Sequence, residues 1–283
     1  MKAGARIHPA LAPWVILSNF LHKIYLQHDL IRNFVVRDLR ARYVGSFIGF
    51  FWSVIHPIVL LVSYTFVFGV VFRVGTPPDC ATSNFALFLF CGILPWLYFS
   101  DTLQRSSTAI VDNSNLVTKT LFPTEILPIT VLLAGLVNHL IGFAILMGII
   151  LYVIGKVSVF ILLVPIYTIV LMLFTLGLSW FVSSLNVFVR DISQIITVIL
   201  TFWFWFTPIF YDFSRIPENF LKYTFILNWN PLAQIVNGYR DCLLNGKMPD
   251  LHALALLSIG SLAVFMAGGL FFRHIKREFV DVL

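Results

Sequence analysis

Asp, Glu, Lys and Arg are absent from six stretches of at least 20 residues, at positions 44–72, 80–100, 126–155, 157–189, 192–211 and 251–272. About 20 apolar residues in helical form cross the hydrocarbon of a bilayer, so each stretch predicts a transmembrane helix. A water-soluble fold would need six helices that are apolar all round. The pattern therefore predicts an all-α integral membrane protein with six transmembrane helices. Just ahead of the first, the period changes. At 100° per residue, Leu30, Ile31, Phe34, Val35 and Leu39 form one face of a helix over 30–43, with Asn33, Arg37 and Arg40 on the other. Asp38 and Arg42 break this division: they fall on the apolar side, four residues apart with the acid first, the favourable order for an ion pair.

The segments between the runs carry the remaining structure. Pro57 predicts a kink in the first span, and His56 beside it reads as a polar packing residue. The second span keeps helical composition beyond Asp101. Asp112, Asn113 and Ser114 are helix-start residues and Pro123 is a stop, which predicts a helix of about two turns over 113–122. It carries Asn115, Leu116, Val117, Lys119, Leu121 and Phe122, and is too short to be stable alone in water. Its apolar side chains are covered either by the chain's own helices and the membrane surface, or by a groove on a soluble partner, the preferred reading. Asn138 and His139 near the centre of the third span face the bundle interior, for packing or for a pathway. Arg190 and Asp191 are adjacent in the short loop before the fifth span. That span ends in five consecutive rings, Phe202 to Phe206, an interfacial aromatic belt or in part a surface facing protein or a pore. Beyond it, residues 223–239 are uncharged, but Asn228, Asn230, Gln234 and Asn237 make a full crossing costly. Two short helices broken at Asn230 and Pro231, dipping into the outer leaflet against protein, would satisfy those groups.

Charge fixes the orientation. With the N-terminus inside, thirteen of the 19 Lys and Arg lie on inner segments and six on outer ones, which places both termini in the cytoplasm. The net charge of +6 follows from this topology and from anionic lipid, and requires no nucleic acid. The uncharged run 7–22 is broken by Pro9 and Pro13 and reads as a segment lying on the membrane surface rather than a signal peptide. Cys80 and Cys242 share the outer side, where a disulfide is conceivable. Chemistry is scarce: seven scattered histidines show no metal spacing, the spans hold no carboxylate, and no G-x-x-x-x-G-K-[ST] loop is present. What remains is a conduit driven by energy from elsewhere, and two-fold pairing is the commonest way to assemble one.

Five stretches, "RDLRARYVGSFIGFFWSVIHPI", "GILPWLYFSDTL", "LVTKTLFPTEILP", "LNVFVRDISQI" and "FWFWFTPIFY", together resemble the permease subunits of ABC-2 type polysaccharide exporters, and most closely those of O-antigen (lipopolysaccharide) exporters. The resemblance runs from about residue 30 onward. It implies a homodimer in the bacterial inner membrane, bound to two copies of a cytoplasmic ATPase that holds ATP and magnesium, with no cofactor, metal or catalytic residue in this chain. It divides the chain into a cytoplasmic N-terminal region (1–46) with an amphipathic interface helix, a six-span domain (47–272) and a cytoplasmic tail (273–283). Residues 113–122 become the coupling helix, and about 213–245 become re-entrant outer gate helices that include Asn228, Asn230 and Pro231. The implied cargo is a polyprenyl-diphosphate-linked glycan moving from cytoplasm to periplasm.

Residue chemistry agrees with that cargo. The chain has 29 Phe, 9 Tyr and 7 Trp, and ring faces hold sugars weakly at many points, as a sliding polymer requires. Trp96, Tyr98, Phe99, Trp203 and Trp205 are the candidate lining. Arg37, Arg40 and Arg42, with Asp38 among them, are candidates to receive the diphosphate, since guanidinium binds phosphate oxygens bidentately; the alternative is a surface helix whose long side chains reach the headgroups. Two other readings stand: an ABC-2 permease for teichoic acid, capsule or another cargo, and a membrane-embedded glycan transferase, for which Asp212, Glu218 and Asp241 are the loose candidate acids.

Overall fold

The computed structural model describes residues 26–42, 49–77, 80, 82–119, 122–211 and 229–283. The run at 7–22, Leu121, Asn228 and the carboxylates Asp212 and Glu218 lie outside the described residues, as does the first half of the expected gate segment. Among the described residues every regular element is helical, and five helices are long and apolar enough to cross a membrane.

Helix α1 (His28–Ala41) precedes the first span, α2 (Trp52–Tyr64), which contains Pro57 and continues as a wider π-type turn over Thr65–Val71. Next comes α3 (Phe85–Thr108), started by Asn84, whose side chain accepts from the amides of Ala86 and Leu87. A six-residue helix, α4 (Ser114–Lys119), leads to α5 (Ile126–Ile154), ended by Gly155 in the left-handed conformation that glycine adopts most easily. Then follow α6 (Val164–Phe188) and α7 (Ile192–Phe206). Asn230 caps α8 (Pro231–Arg240), a π-type turn spans Asp241–Asn245, and α9 (Leu251–Ile275) leads to the short α10 (Phe279–Val282).

The bundle is built around α3, whose residues are buried on every side, as expected of a helix that is apolar all round and sits inside a larger assembly. It packs against α5, α6, α7 and α8. By contrast α2 and the turn that continues it are exposed along most of their length, with Trp52, Val59, Val62, Phe66 and Val70 outward. At about 1.5 Å per residue, α7 spans only about 22 Å, short of a hydrocarbon core of about 30 Å. The chain leaves the helix at Thr207, and residues 207–211 continue without regular structure.

The tightest pairing joins α6 to α9. A Cβ added at Gly268 would fall on the carbonyl of Gly177, and one added at Gly177 would meet the backbone of Val264 and Phe265. Small residues let spans approach closely where lipid gives no hydrophobic push. Around that contact Trp180 packs on Phe265 at 5.3 Å and Phe181 on Phe271 at 4.6 Å. Cys80, Cys91 and Cys242 are free thiols, so the conceivable outer disulfide is not formed.

Gly268→Ala forces α6 and α9 apart and destabilises the protein by about 1–3 kcal/mol. Gly260→Ala on the same helix, where a Cβ meets nothing within 4 Å, leaves stability unchanged or slightly raised. Thermal unfolding of the detergent-purified variants checks both.

Candidate functional site at the two ends of the bundle

The amphipathic period of α1 predicts which face it buries, and the structure follows it closely. Ile31 is buried, Leu30, Phe34, Val35 and Leu39 are half-buried, and Arg37 and Arg40 are exposed. Asp38 and Arg42, the two residues that broke the pattern, are half-buried as well, because the surface they meet is charged. The cytoplasm-directed end of α3 in the sequence reading carries Asp101 and Arg105, and the four side chains interlock. Arg42 Nε donates to Asp38 Oδ2 at 3.4 Å and its Nη1 lies 3.3 Å from Asp101 Oδ2. Arg105 pairs with Asp38 through Nη2, and its Nη1 stands 3.9 Å from Asp101. Two acids and two bases cancel, which suits a cluster in which Asp38, Arg42 and Arg105 are half-buried and Asp101 keeps access to water. Burial lifts the Asp38 carboxyl above the ordinary carboxylate range, against the opposing pull of Arg42 and Arg37.

A second tie runs from α1 to the segment around α4. Arg37 Nη2 donates to Asn113 Oδ1 at 2.9 Å, and Asn113 donates to the carbonyl of Ala109 at 2.8 Å. Arg37 also lies over the Phe34 ring, which packs on Phe122 at 5.2 Å. The arginines singled out by the sequence are thus divided. Arg37 and Arg42 are engaged within the chain, and Arg40 is exposed with no ion pair among the described residues.

In α4, Val117 is buried and Leu116 half-buried, while Asn115, Thr118 and Lys119 are exposed. The chain itself covers Val117, and Phe122 is half-buried against α1, so the outward face of α4 is polar. The loop residues Arg190 and Asp191 are both exposed. Beside them Asn186 Oδ1 accepts from the Ser193 amide, and Gln104 of α3 donates to the Ser193 carbonyl and accepts from Thr197, which anchors the start of α7. Between α2, α3 and α5 lies a cavity of about 280 Å³ whose lining includes Leu94 and Leu97 as well as Arg42, His56, Tyr98 and Asp101.

At the opposite end, Asn230 does more than cap α8. Its Oδ1 accepts from Trp203 Nε1 at 3.0 Å as well as from the Leu232 amide, and its Nδ2 donates to Thr207 Oγ1 and the Phe206 carbonyl. Pro231 occupies the first turn of α8, where its missing N–H is not needed. Arg240, counted from sequence as an ordinary outer charge, is 4% exposed. Its guanidinium donates to the carbonyls of Pro208 and Ile209, both at 2.7 Å, and stacks on Phe88 at 3.6 Å. These carbonyls are left over where α7 unwinds. The space comes from Gly92, where a Cβ would stand 2.9 Å from the guanidinium. Tyr239 joins three helices: its hydroxyl is 3.0 Å from His139 Nε2 and 2.7 Å from Thr168 Oγ1. Asp241 accepts from Asn245 at 2.9 Å within its own turn.

The five candidate rings also divide. Trp96, Tyr98 and Phe99 are buried within the chain, Trp96 against Phe204 at 5.4 Å and Phe99 against Trp203 at 5.2 Å. Tyr98 donates to the Leu132 carbonyl at 3.3 Å. In this arrangement Trp96 and Phe99 are packing residues, and Tyr98 meets open space only at the cavity between α2, α3 and α5. Of the set Trp205 alone is well exposed, beside Phe202 and Phe206. Among the described residues no group of three or more His, Cys, Asp or Glu is placed to hold a metal ion.

The family model described as ABC-2 type transporter matches residues 30–244. The chain is 30% identical to the O-antigen export system permease protein RfbA of Myxococcus xanthus, over 94% of this chain and 99% of that protein. It is also 30% identical to the protein of that name from Klebsiella pneumoniae, over 90% of this chain and 95% of the relative. A more distant similarity, 23%, extends to the polysialic acid transport protein KpsM of Escherichia coli over 86% of this chain and 92% of that protein.

If the Asp38–Arg105 pair latches α1 to α3, a double-mutant cycle of Asp38→Ala and Arg105→Ala, read by chemical denaturation, gives a coupling of about 0.5–3 kcal/mol. Arg40→Ala, on the open face, changes stability by less than about 0.5 kcal/mol.

Proposed function

Because this chain belongs to the ABC-2 type transporter family, we propose that it is the membrane permease of an ATP-driven exporter moving polyprenyl-diphosphate-linked polysaccharide of O-antigen type from the cytoplasm to the periplasm. The observation that carries this reading is the collinear similarity to O-antigen export permeases across nearly the whole of both chains. Six crossings, both termini inside and pairing as a homodimer in the bacterial inner membrane complete it; in that topology α7 and residues 207–211 together make the fifth crossing.

The work comes from a separate ATPase, since this chain has no phosphate-binding loop. The polar outward face of α4, with Asn115 and Lys119, meets that ATPase, two copies for the pair of permeases. The exposed helix α2 and the Phe202, Trp205 and Phe206 face of α7 meet the second copy and the cargo, where unspecific ring contacts let a long polymer slide. For the diphosphate, Arg40 is the available guanidinium, whereas Arg37 and Arg42 hold α1 in place. In this reading α8, anchored through Asn230 and Arg240, forms part of the outer gate. A capsule-type polymer is the second reading, favoured by the similarity to KpsM. A transferase is disfavoured: of its candidate acids, Asp241 is occupied in a turn.

The test is reconstitution in sealed vesicles with a candidate ATPase, following ATP-dependent passage of lipid-linked glycan. Transport or nucleotide hydrolysis by this chain alone overturns the proposal. Lys119→Glu abolishes retention of the ATPase on the purified permease while leaving its thermal unfolding within about 0.5 kcal/mol of the parent; full retention removes α4 from the coupling role.

A further inference from the structure

The six residues of α4 cannot hold a helix by themselves, because nucleation costs more than so few hydrogen bonds return. Its position is therefore set by whatever it lies on. Apart from the turn at Val111–Asn113 that leads into it, α4 packs chiefly on α10 (Phe279–Val282), beyond the last span. Val117, the buried residue of α4, belongs to the same apolar cluster as Phe279.

Phe279 is fully buried, although it lies outside the long apolar runs of the chain. Its ring packs edge-on against Phe272 of α9 at 5.6 Å and against Phe188, the last residue of α6, at 6.2 Å. Three residues earlier, Lys276 Nζ lies 3.1 and 3.3 Å from the two carboxylate oxygens of Glu125, the residue before α5. The Glu125 carbonyl in turn accepts from Trp180 Nε1 of α6 at 3.2 Å. The segment 276–283 thus touches α4 and the start of α5, on either side of residues 120–124. It is itself rooted in the α6–α9 pair, whose glycine contact leaves little room for slippage.

We infer that residues 276–283 form a strut that positions α4, so that Phe279 and the Lys276–Glu125 pair determine how faithfully ATP hydrolysis is converted into export. The inference rests on the coupling role proposed for α4. A load applied to the outer face of α4 passes through Phe279 into α6 and α9, and through Glu125 into α5. Without the strut α4 still presents Asn115 and Lys119, but from a loose mounting.

Two measurements test this. On the full chain alone, a spin label at Thr118→Cys paired with one at Ser258→Cys, in a background lacking the three native cysteines, reports the spread of distances between α4 and α9. Phe279→Ala broadens that distribution, and an unchanged width overturns the strut whether or not an ATPase binds. In vesicles holding permease and ATPase, Lys276→Glu keeps the ATPase bound but raises the ATP consumed per glycan exported by about fivefold, and Lys276→Glu with Glu125→Lys restores the ratio. An unchanged ratio in Lys276→Glu, or a double variant no better than the single, overturns the inference. Failure of the parent permease to retain any ATPase counts against the proposed function instead, and leaves the label measurement to decide the strut.

Discussion

Lipid tails compete with side chains for apolar contact on nearly equal terms, so helices in a bilayer are not driven together by burial as they are in water. Every association in this bundle has to be earned by close approach or by polar groups that find partners. The glycine contact between α6 and α9 supplies the first kind. The second appears wherever an element is short or irregular: Asn230 and Arg240 at the frayed end of α7, Tyr239 between α5, α6 and α8, and the four alternating charges between α1 and α3. The long spans are held mainly by shape, the small elements by hydrogen bonds and charge.

That division explains which parts of the molecule were readable from the chain. Five of the six uncharged runs contain helices of spanning length, and the burial of α1 follows its 100° period residue by residue. Periodicity encodes which face turns inward, and it does so without naming the neighbour. Asp38 and Arg42 are visible as exceptions, but their partners Arg105 and Asp101 lie about sixty residues away and look like the ordinary polar end of a span. Arg240 is hidden for the same reason: the carbonyls its guanidinium meets belong to Pro208 and Ile209, about thirty residues earlier, and a backbone acceptor leaves no mark in the sequence. The apolar residues around α4 raise the question of what covers them, and α4 packs on α10, an element far away in the sequence.

The candidate site was legible in composition more than in placement. Rings are expected to line a passage, yet Trp96 and Phe99 fill the interior around α3 while Tyr98 borders a cavity, because an aromatic side chain packs a core as readily as it faces a sugar. Arginines near the interface were expected to meet phosphate, yet two of the three are bound to the chain's own Asp and Asn side chains. A residue type narrows the chemistry a position can perform; the neighbours decide whether it is free to perform it.

The all-round burial of α3 has a consequence for how the protein is made. Most of its packing is against α5, α6, α7 and α8, which all follow it in the chain, so during synthesis it leaves the ribosome with only α1 and α2 ahead of it. It also carries Thr102, Ser106 and Ser107 in places that finally see no solvent. The helix that ends at the centre must therefore wait in the insertion machinery or the bilayer with its hydroxyls turned on their own backbone, until later spans arrive to enclose it.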